Sequence, residues 1–194
     1  MTIIWAKQIK WKWNLFSDDC ISLWDYETSW SKNYRKKIRK IPRAPREMYV
    51  ASSWTCRQTD LVINNIDKAL SKVPDCMDEF DVKDIIQEAV VAVIKVLKEI
   101  DEDNPSFVLL ILDTELNVMY LIETFAVNIL DKDVEYAWWS WDITFYIIHK
   151  LESNLEDWDK FIADFRLAAK DAPWCGWNIF QVNEDWITTY EEIK

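Results

Sequence analysis

Two residues have side chains of the type that performs covalent chemistry. His149 is the single histidine of the 194-residue chain, and Cys175 sits in the segment Pro173-Trp174-Cys175-Gly176-Trp177. If the stretch from Asp133 onward is helical, His149 shares a strip with Asp131, Glu135 and Asp142, and Glu152 follows at a spacing of three. A carboxylate beside an imidazole raises its basicity and suits it to proton transfer. Paired with the Cys175 thiol, such a base would complete a nucleophile–base couple. The competing account needs no chemistry. His149 would lie on a solvated helix face with a local ion pair worth about 0.2–0.5 kcal/mol. Cys175 would be a small buried hydrophobe in a tight loop anchored by Trp174 and Trp177. The second account fits the composition better, and the sequence by itself reads as that of a protein that is not an enzyme.

Several reaction classes are disfavoured by composition. Gly occurs once, at Gly176, so phosphate-cradling loops and the Gly-centred nucleophile elbow are not available in their usual form. One histidine cannot make a two-histidine metal site, and the cysteines Cys20, Cys56, Cys76 and Cys175 contain no close pair. Trp174-Cys175-Gly176 resembles the opening of a thioredoxin-type redox loop, but Trp177 and Asn178 follow where a resolving cysteine is required. No cofactor and no metal is expected. The N-terminal residues lack the charged-then-apolar pattern of a secretory signal, so reduced thiols in the cytoplasm are expected. No charge-free apolar run of about 18 residues exists, so no membrane span is expected.

Charge is the most distinctive property. The formal net charge is −11. Residues 1–56 carry eleven Lys/Arg against five Asp/Glu, whereas residues 57–194 carry twelve against twenty-nine. The basic segment 32–46 interleaves eight Lys/Arg with Tyr34 and Ile38, a pattern that could meet phosphates and bases. An acidic body repels nucleic acid, however, and a basic segment beside it is better placed to dock on its own protein, so no nucleic-acid partner is expected. The acidic residues fall into clusters. Candidate partner-binding residues are Asp75, Asp78, Glu79 and Asp81; Asp101, Glu102 and Asp103; Asp131, Asp133 and Glu135; and Glu156, Asp157 and Asp159. The helix macrodipole explains acidic residues at helix starts, but not so large a surplus. Trp139, opposite the Trp138/Trp141 stripe, is a candidate aromatic anchor.

Apolar spacing must then supply the elements that carry these groups. Leu61, Ile63, Ile66, Ala69, Leu70 and Val73 predict an amphipathic helix that stops at Pro74. Asp81 is expected to cap a second helix with Ile85, Ala89, Ala92, Val93, Val96, Leu97 and Ile100 inward. Beyond Asn104-Pro105, the positions Leu109, Leu112, Leu116, Met119, Ile122, Ala126 and Ile129 recur at helical spacing. Two strands, Phe107–Leu112 and Val118–Glu123 around Asp113–Asn117, are the rival for 106–123. Further helices are expected from Asp133, from Ser153 or Asn154, and over 183–193. The scarcity of Gly argues against hairpin-rich β structure.

The fold expected from these elements is mainly α: a single-domain helical bundle or helical-hairpin stack of about six to seven helices. A basic, Trp-rich region over 1–56, irregular or partly β, would pack on an acidic helical domain over 57–194. The matching function is that of a soluble acidic interaction module of immunity type, occluding a basic partner such as a nuclease toxin. A helical adaptor or structural protein of viral or mobile-element origin is the alternative, and an enzyme using His149 or Cys175 comes third.

Overall fold

The computed structural model describes residues 4–9, 11–18, 20–24, 30–34, 37–54, 56–99, 107–132, 136–138, 179–183 and 187–190. These residues form two five-stranded antiparallel sheets, a two-stranded ribbon and two helices. The first sheet has the order β10-β1-β2-β11-β12, from β1 (Ile4–Ile9), β2 (Lys12–Asp18), β10 (Tyr136–Trp138), β11 (Ile179–Val182) and β12 (Ile187–Tyr190). The second runs β5-β6-β7-β8-β9, from β5 (Ile38–Lys40), β6 (Met48–Trp54), β7 (Phe107–Asp113), β8 (Val118–Glu123) and β9 (Ala126–Ile129). Strands β3 (Cys20–Trp24) and β4 (Trp30–Tyr34) pair as a ribbon. Helices α1 (Cys56–Leu70) and α2 (Glu79–Glu99) pack on one face of the second sheet. The first sheet covers its other face.

The pleat of the second sheet serves both layers. Along β6, Met48 and Val50 meet the helices, whereas Tyr49 and Ala51 meet the first sheet. Along β7, Phe107, Leu109 and Ile111 face the helices while Val108, Leu110 and Leu112 face the opposite sheet. Every residue of β7 is buried. A strand buried on both faces shows no alternation, only a continuous apolar run. This is why Leu109 to Ile129 imitates a helical stripe: three short strands, β7, β8 and β9, lie end to end in the sequence there. The two-strand rival was the correct one.

The mainly α bundle is therefore wrong, and the α/β sandwich replaces it. Helices α1 and α2 stand close to their expected bounds, but α2 begins at Glu79 and its cap is Asp78 rather than Asp81. Asp78 Oδ1 accepts from the backbone N–H groups of Phe80 and Asp81, both at 2.9 Å. The helix expected from Asp133 gives way at Tyr136–Trp138 to a strand paired with β1, and the terminal helix over 183–193 gives way to β12. The helix expected after Ser153 lies outside the described residues. The argument from scarce Gly fails for a specific reason. The left-handed turn positions are taken by Trp11 (φ 68°), Asn117 (φ 53°) and Thr124 (φ 44°). Asn tolerates that region well, whereas Trp and Thr do so only when their surroundings fix them.

A buried ion pair ties the β5–β6 turn to the end of β7 and, through the Arg46 guanidinium, to the turn before α2. Arg46 Nε donates to Asp113 Oδ2 at 2.8 Å, and both side chains are almost wholly buried. Arg46 Nη1 donates to the carbonyls of Asp75 (3.0 Å) and Met77 (2.8 Å), in the turn that leads into α2. Asp113 Oδ1 accepts from the N–H groups of Glu115 and Leu116, closing the β7–β8 turn. Other cations of the basic segment are also engaged internally. Arg43 donates from Nε to Asp67 Oδ2 at 2.7 Å and from its backbone N–H to Oδ1 at 2.8 Å, and Arg39 pairs with Asp60.

Two predictions follow from this packing. Asp113→Ala strands the Arg46 charge and should cost about 3–5 kcal/mol, whereas Arg46→Met with Asp113→Leu should recover more than half of that loss. Urea midpoints of the single and double variants check it. At high pH, Tyr49 is the sensitive group. Burial, followed by its hydrogen bond to Glu47 Oε1 (2.8 Å), raises its pKa to about 12. Tyr120 is raised as well, by burial first and then by Asp113. The neutral phenols are thus favoured by the folded state. Their contribution is complete below the ordinary tyrosine pKa of about 10 and is lost as pH climbs from there toward 12. Tyr49→Phe should flatten part of the fall in melting temperature over that window, and adding Tyr120→Phe should flatten more.

Candidate active site at the strand ends

The register separates the two ends of the sandwich. At one end lies the β1–β2 turn, since Ile9 pairs with Lys12. Asn117, in the β7–β8 turn, holds it there: Oδ1 accepts from Trp13 N–H and Nδ2 donates to the Trp11 carbonyl, both at 2.8 Å. The β5–β6 turn joins them, because Thr114 donates from its N–H (3.1 Å) and its Oγ1 (2.8 Å) to the Glu47 carbonyl. The antiparallel ladders therefore bring the start of β1, the end of β2, the start of β5 and the end of β6 to the opposite end. Ile4 is there, paired with Ser17, and so are Asp18, Lys37 with Ile38, and Ser53.

Ser17, Lys37 and Ser53 are among the polar side chains buried toward this end. Ser17 and Ser53 share the strand parity of Leu15 and Ala51, whose side chains fill the inter-sheet core with Ile4, Ile38 and Phe180. The Ser17 hydroxyl is wholly buried and has no hydrogen-bond partner among the described residues. Lys37 is engaged by neighbouring groups, as a buried ammonium requires. A buried ammonium favours an ionised oxygen within its reach and stabilises charge that develops on a carbonyl under attack. The strand that enters here is β1, and Thr2 precedes its first residue by two positions.

The expected partner-binding residues fall elsewhere. Asp75, Asp78, Glu79 and Asp81 surround the start of α2, with Asp78 as its cap, and Asp131 is exposed just beyond β9. All five lie toward the end that holds Arg46 and Asp113, remote from Lys37 along the strands. Asp101, Glu102, Asp103, Asp133, Glu135, Trp139, Glu156, Asp157 and Asp159 lie outside the described residues, as do His149 and Cys175. Lys37, Ser17 and Ser53 escaped the sequence reading. Lys37 is embedded in Arg35-Lys36-Lys37-Ile38-Arg39-Lys40, where nothing separates a buried ammonium from solvated ones.

Comparison with known proteins then bears on the whole assembly. No protein-family profile and no curated protein sequence matches the chain. Solved structures do match. Eukaryotic HslV from Trypanosoma brucei superposes with a TM-score of 0.60 at 13% identity, over 93% of this chain and 97% of that one. The Anbu (Gly-1) mutant from Hyphomicrobium sp. strain MC1 gives 0.67 at 14% identity, over 97% and 86%. BPH from Thiobacillus denitrificans, in complex with epoxomicin, gives 0.61 at 14% identity, over 93% and 96%. The chain thus shares the α/β fold of these three structures.

This overturns the expectation of a helical, immunity-type inhibitor, and with it the expectation of a helical adaptor, since both rested on a bundle that is not present. It also overturns the inference that the chain is not an enzyme. Missing Gly motifs and a single histidine exclude only chemistries that need them, and an N-terminal threonine acting with its own amine needs neither. A basic partner gains no support from this fold. Among the described residues, no helix is long and apolar enough to cross a membrane.

The unpaired hydroxyl gives a direct test of how the strand ends are built. An unmet buried hydroxyl costs about 1–3 kcal/mol, so Ser17→Ala should leave stability unchanged or raise it by up to about 1 kcal/mol. Chemical denaturation of the variant checks this, and a clear loss would reveal a partner for Oγ.

Proposed function

We propose that this chain is a peptidase of the N-terminal-nucleophile type, with the Thr2 hydroxyl as nucleophile. The observation that carries the proposal is the buried Lys37 at the end where β1 begins, within a fold otherwise met in proteasome-like peptidases. Removal of whatever precedes Thr2 frees its amino group. That amine then accepts the proton of the Thr2 hydroxyl as the oxygen attacks the peptide carbonyl carbon. The Lys37 ammonium favours the ionised hydroxyl and opposes the charge on the tetrahedral oxygen. Collapse breaks the C–N bond, the leaving amine takes the proton, and water hydrolyses the resulting ester to restore Thr2. In the cytoplasm such an enzyme needs no disulfide.

The test uses protein whose intact mass shows Thr2 as the first residue, assayed against a panel of fluorogenic peptides and incubated with epoxomicin. Thr2→Ala and Lys37→Met should each lower kcat/KM by about 10³-fold or more, and Thr2→Ser should retain measurable turnover. Epoxomicin should shift the mass of the parent protein and not that of Thr2→Ala. Undiminished hydrolysis by Thr2→Ala, or no hydrolysis by correctly processed protein, would defeat the proposal.

A further inference from the structure

The core between the second sheet and the helices holds two polar atoms that no protein group satisfies. Arg46 uses Nε on Asp113 and Nη1 on the carbonyls of Asp75 and Met77. Its Nη2 is buried without a hydrogen-bond partner among the described residues. The Tyr120 hydroxyl is in the same condition, on a side chain wholly buried among the apolar residues that α1 and α2 cover. Buried donors and acceptors are nearly always bonded, to protein or to ordered water. Two such atoms in one small volume therefore call for a common explanation.

The register places them together. Across β7 and β8, Asp113 pairs with Val118 and Ile111 pairs with Tyr120. Ile111 and Tyr120 face the helices, and Asp113 shares the parity of Ile111, so Asp113 and Tyr120 are diagonal neighbours on that face. Diagonal neighbours stand about 7–8 Å apart, within reach of an aromatic side chain. The guanidinium supplies the other half of the geometry. It is planar, and its Nε–H and one Nη2–H bond run parallel. The bond from Nε to Asp113 therefore turns Nη2 toward the Asp113 side, where Tyr120 lies. The charges that bear on the Tyr120 hydroxyl are Asp113, Arg46, Glu79 and Asp78, which bracket it between the end of β7 and the start of α2.

We propose that Arg46 Nη2 and the Tyr120 hydroxyl are the two walls of an internal site for one ordered water. The two atoms do not bond each other, so a mediator is needed to satisfy both. The water accepts from Nη2, and the hydroxyl can donate to it or accept from it. The carbonyls of Asp75 and Met77 each keep a lone pair beyond the one that Nη1 occupies, which offers a third bond, the usual number for a buried water. Charge fixes the class of ligand. An anion would be opposed by Asp113, Asp78 and Glu79, and a cation by Arg46, so the occupant is neutral. Bound there, the water ties β8 to the Arg46–Asp113 pair and through it to the turn before α2. A bridging water does this nearly as well as a direct hydrogen bond.

Two measurements on the full chain at neutral pH test the site. Water-selective nuclear Overhauser spectra of the wild-type protein should show a long-lived water in contact with the Tyr120 ring protons beside the hydroxyl. In urea denaturation, Tyr120→Phe should raise the unfolding constant about two- to tenfold, because the water loses a partner. The sign is what discriminates. A hydroxyl that bonds nothing would give no change or a lower unfolding constant on removal, the direction expected for Ser17→Ala. Absence of a water contact at Tyr120, or a Tyr120→Phe variant at least as stable as the parent, would overturn the assignment. Neither readout involves peptide hydrolysis, so the outcome is separate from that of the proposed activity.

Discussion

A guanidinium and a carboxylate with almost no access to water fix the relation between the layers. Arg46 lies in the β5–β6 turn, Asp113 ends β7, and the carbonyls of Asp75 and Met77 belong to the turn before α2. Removing two charges from water is costly, and a well-packed apolar pair would often be as stable. What an apolar pair lacks is direction. The fork of Arg46 addresses a carboxylate and two carbonyls at once, and Asp113 spends its other oxygen on the β7–β8 turn. The same pair therefore sets the position of two strand turns and one helix start.

That constraint matters because β7 serves two cores. Its side chains point alternately to the helices and to the other sheet, so a shift of one residue would exchange the two sets. Both sets are apolar and similar in size, and hydrophobicity alone discriminates poorly between the registers. Asp113 breaks that near-symmetry. It is the charged residue of a seven-residue buried strand, and only one register delivers it to Arg46.

The legibility of the fold in the sequence follows the same logic. Helices α1 and α2 are buried on one side only, so their periodicity is plain. Strands β7 and β8 are buried on both, so their periodicity is lost and three consecutive strands resemble one helix. The turns were hidden by an assumption about Gly, because Asn117, through its own side-chain bonds, holds Trp11 in the conformation usually left to Gly. The candidate site was less legible still. Acidic residues such as Asp78 drew attention, yet Asp78 satisfies α2 N–H groups. Lys37 was hidden among six consecutive residues of which five are cationic, and only the three-dimensional pairing of β5 with β6 separates it from the rest.

The uneven charge along the chain also acquires a local cause. The cations of the first part meet carboxylates of the second: Arg39 with Asp60, Arg43 with Asp67, Arg46 with Asp113. Part of the basic–acidic asymmetry is thus internal pairing written out along the sequence, rather than a surface prepared for a foreign partner. These pairs gather on α1 and on the turns at the Arg46 end, where polar groups are bonded to one another repeatedly. At the opposite end, Ser17 carries a buried hydroxyl without a partner among the described residues. Arg46 Nη2 and the Tyr120 hydroxyl are likewise buried without a hydrogen-bond partner among the described residues, so unmet groups occur at both ends. Each unmet buried group costs about 1–3 kcal/mol, a penalty that the ion pairs and the two apolar cores must offset.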